Sequence, residues 1–594
     1  MVRRRTTLTV LTALLLAAGV ARAEEPSAIV SGVDDKALRD AIMRVLGTAK
    51  GPPQSRAEAR RRARDAGDDV VAVLRAEGYY AYAVEPDVNE GDPPRGIVKV
   101  TPGQVFNLAD PRIVWRGTAP DEGVVKRADA AMQLTPGQPG RAADILGAEG
   151  RIIAQVQGLG YADVAAEPRE VIVDHADHSV RPTFNIVAGD LTRLDGVELV
   201  TKGRSNQAWV ADLAPWTPGE VYDPEHVAEL ERRLRDTGVY DSVSVSLAPL
   251  ERLTPDGRRP VVVGLADRLP RTIELGAGFS TSEGPGVDAR WIQYNRLRRA
   301  DTTTYTARLA KLEQRVGGEV SLPHWRRVQQ TLKLNGALFR ETTDAYDETG
   351  ATISADLTRR RKTTSYRTYG VALDLSQSKQ LATTKGVSVK EVLNLATVTT
   401  LAAVAWDRSD NILDPKRGWR FEARGEPTAI VGDTTLAYLR TQVQGSAYLP
   451  FGKDADTVLA ARLKLGAIFG GLLEEVPASR RFFSGGGGSV RGYAYQAIGP
   501  RLADNTPQGG VSLVESSIEV RHRFSKTWGG VAFIDAGAIG PERTPKADDF
   551  RVGAGVGVRY DLGFGPIRAD IAVPLGKRSG DPAFQIYLSI GQSF

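Results

Sequence analysis

The chain has 594 residues, a formal net charge of +5 and no cysteine. Without cysteine there are no disulfide staples, thiolate metal sites or cysteine nucleophiles. The basic excess is not a nucleic-acid footprint. Arg3, Arg4, Arg5 and Arg22 fall in the first 23 residues with no acid among them, which leaves the rest of the chain near about +1, and no Lys/Arg run is interleaved with aromatics.

Those first residues read as an address. Three arginines precede an apolar run from Leu8 to Val20, and Ala21-Arg22-Ala23 supplies a small-x-small cleavage site, the order of a secretory signal peptide cut after Ala23. The run falls short of the roughly 20 apolar residues of a spanning helix. No other long apolar stretch follows. A membrane crossing by this chain therefore requires a closed barrel, since lipid cannot satisfy the free edge of a sheet.

The half before about Arg271 is mixed α/β and repeats itself. Val70–Tyr80, Ile152–Tyr161 and Leu230–Tyr240 each read as a helix ending at a glycine, followed by a strand. The glycines Gly78, Gly160 and Gly238 suit a helix C-terminus that needs positive φ. Upstream, Leu38, Ala41, Ile42, Val45 and Leu46 form one apolar helical face with Asp34 or Asp35 as its cap. Ser55-Arg56-Ala57-Glu58 is a capping box, and Asp223-Pro224 is a cap followed by a first-turn proline. Each unit is strand, two helices, two strands over ~80 residues, an internal repeat. It resembles a POTRA module, the periplasmic unit of the outer-membrane insertase superfamily. Pro102–Phe106 and Ala188-Gly189-Asp190 sit where such modules hand over to the next. The resemblance implies that the modules offer strand edges to extended clients; a generic α/β repeat without a binding role is the alternative.

From Arg271 onward short alternating strands take over. Leu459, Ala461, Leu463, Leu465, Ala467 and Phe469 share one parity, with Arg462 and Lys464 on the other. Ser516, Ile518, Val520 and Phe524 likewise oppose Ser517, Glu519, Arg521 and Arg523. One parity meets lipid and the other the lumen in a membrane barrel, although a soluble sandwich alternates as well. The length accommodates about sixteen antiparallel strands, matching the even counts of bacterial barrels. The terminal strand places Ile586, Leu588, Ile590 and Phe594 on one face, which looks like the insertion signal of outer-membrane proteins.

Between two strands lies a glycine-rich loop, residues 472–510, holding Gly485, Gly486, Gly487 and Gly488 and then Val490, Arg491, Gly492 and Tyr493. This string resembles the VRGF/Y loop of the insertase superfamily. Ser517-Ile518-Glu519, Phe533–Gly537, Asp407–Asn411 and Leu413–Gly418 resemble the family's neighbouring motifs in the same order. The chain is thus similar to the BamA/TamA family over nearly all its length after the signal. The expected loop folds into the lumen, where the Arg491 guanidinium requires a counter-charge. Glu519 lies on the polar parity, and Asp535 shares the parity of Val531 and Phe533, so both are candidate partners. Paired and buried, such an arginine would cost about 3–5 kcal/mol on losing one partner, and lysine would not replace its planar fork.

The expected organisation is a signal peptide over 1–23, β-α-α-β-β POTRA modules over 24–103, 104–188 and 189–268, and an outer-membrane barrel over 269–594. Three modules resemble the TamA-like branch, which implies an assembly factor for β-barrel or autotransporter proteins. It further implies periplasmic modules, unfolded outer-membrane clients, the bilayer, and an inner-membrane-anchored TamB-like partner at the first module. A general BamA-type insertase, a two-partner secretion pore and a passive channel remain alternatives. No catalytic residue, metal site or cofactor is expected. There is no Walker A string, and Gly487–Arg491 misses a nucleophile elbow by one residue and by context. Asp174-His175-Ala176-Asp177-His178 reads as a solvated turn.

Overall fold

The computed structural model describes residues 25–594, apart from 50, 202, 281–283, 363, 385–386, 453–454 and 564. The signal expected over 1–23 lies outside the described residues. The chain divides into two compact units. One runs up to Asp195 and adds Trp216–His226 and Pro249–Pro260; the other comprises Gly196–Pro215, Val227–Ala248 and Val261–Phe594. Their boundary passes through the third repeat.

The repeats form three small sheets with helices. In the first, Ile29–Ser31 runs parallel to Gly96–Thr101, which pairs antiparallel with Ala83–Val88. Helices Lys36–Val45 and Arg56–Ala76 lie between them in sequence. Asp35 Oδ1 accepts from the Leu38 amide at 2.9 Å, so the second of the two candidate aspartates is the cap. Ser55 Oγ accepts from the Glu58 amide at 3.2 Å, while the Glu58 carboxylate reaches the Gln54 amide, one residue before the partner a capping box uses. The core comes from the apolar faces, with Ile42, Val70, Leu74 and Val98 essentially solvent-free.

In the second, Ser179–Val187 is the central strand, flanked by Arg112–Trp115 in parallel and Glu170–Asp174 antiparallel. In the third, the order is Leu194–Leu199, Arg259–Asp267, Tyr240–Leu247, and Pro224 opens its helix as expected. Gly78, Gly160 and Gly238 all take positive φ, at 91°, 104° and 72°, in the turns two or three residues past the ends of their helices. The strand that follows the glycine in the second repeat is confined to Ala165–Ala166, because the turn after Gly160 uses the preceding residues. The Asp174–His178 segment is a turn in which Arg181 ion-pairs with Asp174 and Asp177, and both histidine rings pack edge-on against buried Phe106.

Sixteen antiparallel strands from Arg271 to Ile590 close into a barrel, each paired with its chain neighbours. The rim where the first strand (Arg271–Ser280) begins is called the near rim. Lipid parity is unmistakable: Leu275, Leu338, Ile353, Val371, Ile518, Ile534 and Val556 are exposed outward, whereas Glu519, Arg521, Val531, Phe533 and Asp535 are buried inward. Outward aromatics cluster near the near rim, with Trp291 against Tyr305, Trp406 against Phe421, and Trp528 against Tyr560. This is the girdle of a membrane interface.

Neighbouring ladders are long. The seventh and eighth strands pair from Ser365↔Trp406 to Thr384↔Val387, and even the fifteenth and sixteenth pair from Ile567↔Ile590 to Ala572↔Gln585. The first strand meets the sixteenth at Ser280↔Tyr587, where the barrel closes, and the sixteenth ends at Ile590 while the first begins at Arg271.

Candidate functional site

The loop between the eleventh strand (Thr457–Phe469) and the twelfth (Ser512–Arg523) turns into the barrel, and its tip is among the most deeply buried parts of the molecule. Val490 and Tyr493 are solvent-free and Arg491 is 1% exposed. A buried guanidinium is tolerable only with its donors satisfied and its charge opposed. The twelfth, thirteenth (Trp528–Gly540) and fifteenth (Pro566–Pro574) strands each supply a carboxylate for that purpose.

Asp535 takes the fork. Arg491 Nε donates to Oδ2 at 2.7 Å and Nη2 to Oδ1 at 2.9 Å, and the Arg491 backbone amide also donates to Oδ2 at 3.0 Å. Glu519 Oε1 stands 2.7 Å from Nη2, and Asp570 Oδ2 accepts from Nη1 at 3.2 Å. Ser517 Oγ donates to Asp535 at 2.6 Å and holds that carboxylate in place. The guanidinium also lies over the Phe533 ring, 3.3 Å from its centroid, a cation–π contact strengthened by dehydration. Arg521 pairs with Glu519 and Arg559 with Asp570, so three buried acids meet three buried guanidiniums. The planar two-pronged arrangement is one an ammonium cannot reproduce.

Both acids expected from strand parity therefore reach Arg491. Asp570 is a third that the sequence reading missed, although Arg568, Asp570 and Ala572 alternate with outward Ile567, Ala569, Ile571 and Val573 and so mark it as inward.

Glycines let the loop approach the wall. Gly492 has φ 99°, and its amide donates to the Tyr587 hydroxyl at 3.1 Å. On the wall, a Cβ at Gly553 would stand 1.9 Å from the Arg491 carbonyl oxygen. In the glycine run, Gly485 and Gly486 take positive φ, and a Cβ at Gly487 would meet the Tyr587 ring at 2.8 Å. Gly488 has open space around its Cβ position, so no steric need fixes it; its carbonyl and that of Ser489 accept from Arg462. The Tyr493 hydroxyl donates to the Val552 carbonyl at 3.2 Å. On the opposite wall the loop is pinned by Arg480 to Glu348 at 3.2 Å and by the Ala478 amide to Gln380 at 2.7 Å.

The terminal segment departs from expectation. Ile586 and Leu588 do face outward, and the Ile590 side chain lies outside what is described. Phe594 does not continue their face. The strand ends at Ile590, Gly591 takes φ 86°, and the chain turns into the lumen. There the Phe594 ring stacks on Tyr448 with centroids 6.5 Å apart, beneath the guanidiniums of Arg462 and Arg521. Gln592 donates to Asp414 at 2.9 Å, and Ser593 donates to Glu519, the same acid that faces Arg491. A left-handed glycine breaks the two-residue period, so parity counted through it fails.

No group of His, Asp and Glu among the described residues is arranged to hold a metal ion. The latch is an electrostatic clamp with no reacting centre: it fixes a loop across the lumen and joins three strands to it.

Comparison with known proteins agrees with this architecture. The family described as the Omp85 superfamily domain matches residues 295–594, and the POTRA domain described as TamA domain 1 matches residues 28–102. The outer membrane protein assembly factor BamA of Neorickettsia risticii is 21% identical over 443 residues, covering 70% of this chain and 57% of that protein. BamA of Neisseria meningitidis serogroup B is 25% identical over 227 residues, covering 32% of this chain and 28% of that protein. This chain thus spans little more than half the length of the first of these relatives and less of the second. The crystal structure of Haemophilus ducreyi BamA lacking POTRA domains 1–3 superposes with a TM-score of 0.69 at 18% identity, covering 82% of this chain and all of that one. With the superfamily domain spanning half the chain, a POTRA domain ahead of it and a sixteen-stranded barrel closing on an arginine-tipped loop, the protein belongs to the Omp85 superfamily, in its BamA/TamA family.

Proposed function

We propose that this protein helps other β-barrel proteins, including autotransporter-type clients, to insert and fold in the outer membrane, with its POTRA modules in the periplasm. The observation that carries the reading is the seam. In the register of Ser280↔Tyr587 the sixteenth strand, ending at Ile590, stops opposite Ala277, and the last four residues leave the wall for the lumen, so the edge of the first strand over 271–276 runs past the end of its neighbour. A strand edge that extends beyond its neighbour is a template on which a client strand can form backbone hydrogen bonds. The driving force is burial of the client's apolar face in lipid, so no nucleotide or covalent step is needed.

Two further features support it. The Glu170–Asp174 strand is an edge carrying exposed Val171 and Ile172, suited to strand addition by an extended client. The loop crossing the lumen favours an assembly factor over a passive channel. The likeness of residues 28–102 to the first TamA POTRA domain favours the specialised branch, with a TamB-like inner-membrane-anchored partner docking on that module.

The test uses the chain's lack of cysteine. Gly278→Cys with Ser589→Cys places a pair across the seam, two residues along the register from Ser280↔Tyr587. Oxidation is expected to abolish insertion of a client barrel into proteoliposomes while the barrel itself stays folded, and reduction should restore it. Client insertion that proceeds equally under oxidation rejects the seam as the route. Depletion in cells followed by a census of outer-membrane proteins separates the branches: a narrow loss fits the specialised factor, a general loss the general insertase.

A further inference from the structure

Among the described residues, three places in the barrel set two arginines directly opposite each other on neighbouring strands. Like charges in that position repel and destabilise the pair unless something lies between them. Arg308↔Arg315 is resolved by Glu313, which stands 3.4 Å from the first and 2.8 Å from the second. Arg559↔Arg568 lies in the lumen beside Asp570, which pairs with Arg559. The third, Arg359↔Arg367, joins the sixth strand (Tyr346–Lys362) to the seventh (Ser365–Thr384), and no acid of the described residues pairs with either arginine.

This third pair differs in a second way: it points outward. Arg367 shares the parity of Tyr369, Val371 and Leu375, and Arg359 that of Ile353, all of them exposed on the lipid face. It also lies at the near rim, one outward step from Trp406, the girdle residue opposite Ser365. An arginine facing lipid is costly at the bilayer midplane and close to neutral at the interface, where the guanidinium reaches the headgroups. The two arginines sit at the one depth where lipid phosphate is within reach. They do not lie on a flat wall. A cavity of about 490 Å³ opens there, lined by Arg359, Arg360, Arg367, Ser365, Tyr369 and Trp406. Outward Arg359 and Arg367 offer two guanidiniums and Ser365 a hydroxyl to an anion, and Tyr369 and Trp406 offer aromatic faces to the glycerol and upper acyl region.

We propose that this groove binds the headgroup of one anionic phospholipid from the near-rim leaflet, its phosphate seated between Arg359 and Arg367. The phosphate supplies the negative charge that Glu313 and Asp570 supply at the other two pairs, and guanidinium forks match its oxygens bidentately. The proposal depends on the barrel standing in a bilayer, and on nothing about the seam or clients.

The experiment is native mass spectrometry of the full-length protein released from vesicles of phosphatidylcholine with one-tenth phosphatidylglycerol. The wild-type protein is expected to retain one phosphatidylglycerol in preference to phosphatidylcholine. Arg359→Gln with Arg367→Gln is expected to lower that retention roughly ten- to thirty-fold, given the typical attraction of two interfacial arginines for anionic lipid. Arg543→Gln, in a loop at the far rim, should leave retention unchanged. Loss of the preference in the double variant but not in the control supports the site. An equal loss in both, or no lipid preference in the wild type, overturns it. Displacement of the lipid by inorganic phosphate at matched concentration also overturns it, in favour of a free-anion site. Heat-modifiable migration on a gel, measured on each variant, reports whether the barrel is folded; failure of the wild-type protein to integrate into vesicles would instead remove the membrane reading beneath the proposal.

Discussion

The wall around the latch and the wall at the seam lie only a few strands apart, and they are built on opposite plans. From the twelfth strand to the fifteenth, full ladders are reinforced across the lumen by a guanidinium that touches a carboxylate on three of the four strands, with the Arg491 carbonyl set against Gly553 of the other. Between the sixteenth strand and the first, the register through Ser280↔Tyr587 brings the sixteenth strand to its end opposite Ala277, and outward Ile273 and Leu275 beyond that point are highly exposed. Side-chain reinforcement is thus concentrated beside the boundary where one strand stops short of its neighbour. Should the wall open at that edge, as proposed for client insertion, the latch holds the neighbouring strands by contacts independent of it.

The contrast breaks most completely at Arg491. Arg491→Ala leaves three buried carboxylates without their shared partner and is expected to destabilise the barrel by about 3–5 kcal/mol, read as a lowered denaturant midpoint and loss of the compact gel form. Arg491→Lys should recover only part of this. Next, Asp535→Asn removes the fork and is expected to cost about 1.5–3 kcal/mol, the range for hydrogen bonds to charged groups. Asp570→Asn should cost less, because its contact with Arg491 is single and longer. Equal effects would mean that the three acids act as an undivided field. Gly553→Ala tests the steric half of the latch. Its methyl group collides with the Arg491 carbonyl and is expected to cost about 1–3 kcal/mol, with the loop more open to protease than in the wild type.

The smallest effect lies outside the membrane-spanning strands. In the turn after the fourth strand, His324 accepts the Gln329 amide on Nδ1 at 3.1 Å, and its Nε2 faces the Arg233 carbonyl at 3.1 Å, on the third repeat's helix Pro224–Arg235. Burial holds this imidazole below its ordinary pKa. The folded state therefore favours the neutral ring, and its contribution is fully present above the unfolded value of about 6.5 and is lost as pH falls below it. Hydrogen exchange of the 224–235 helix, corrected for intrinsic rate, should rise modestly below about pH 6, and His324→Gln should flatten that dependence.

How far the sequence could be read follows from what each signal encodes. Alternation places side chains in or out, so Glu519 and Asp535 were legible as inward acids before any contact was visible. Asp570 carried the same signal on a shorter strand and was passed over for want of a motif. The turn at the end was less accessible. Ile586 and Leu588 obey their parity, but Gly591 resets the backbone, and nothing in the apolar spacing tells that Phe594 finds Tyr448 across the lumen. The outward Arg359↔Arg367 pair was hidden for another reason: cross-strand register depends on turn geometry, which a list of strands does not contain. The repeats were read well through Gly78, Gly160 and Gly238, whose conformational demand is local.

The acids that receive Arg491 lie on three strands that all follow it in the chain. Their seats come into being only when those strands have the correct register, because a slip by a single residue would swing a carboxylate outward to the lipid. The loop tip is synthesised first and satisfied last, so its arginine proofreads the final third of the cylinder: a misaligned wall leaves a stranded cation, and only the right alignment lets the chain come to rest.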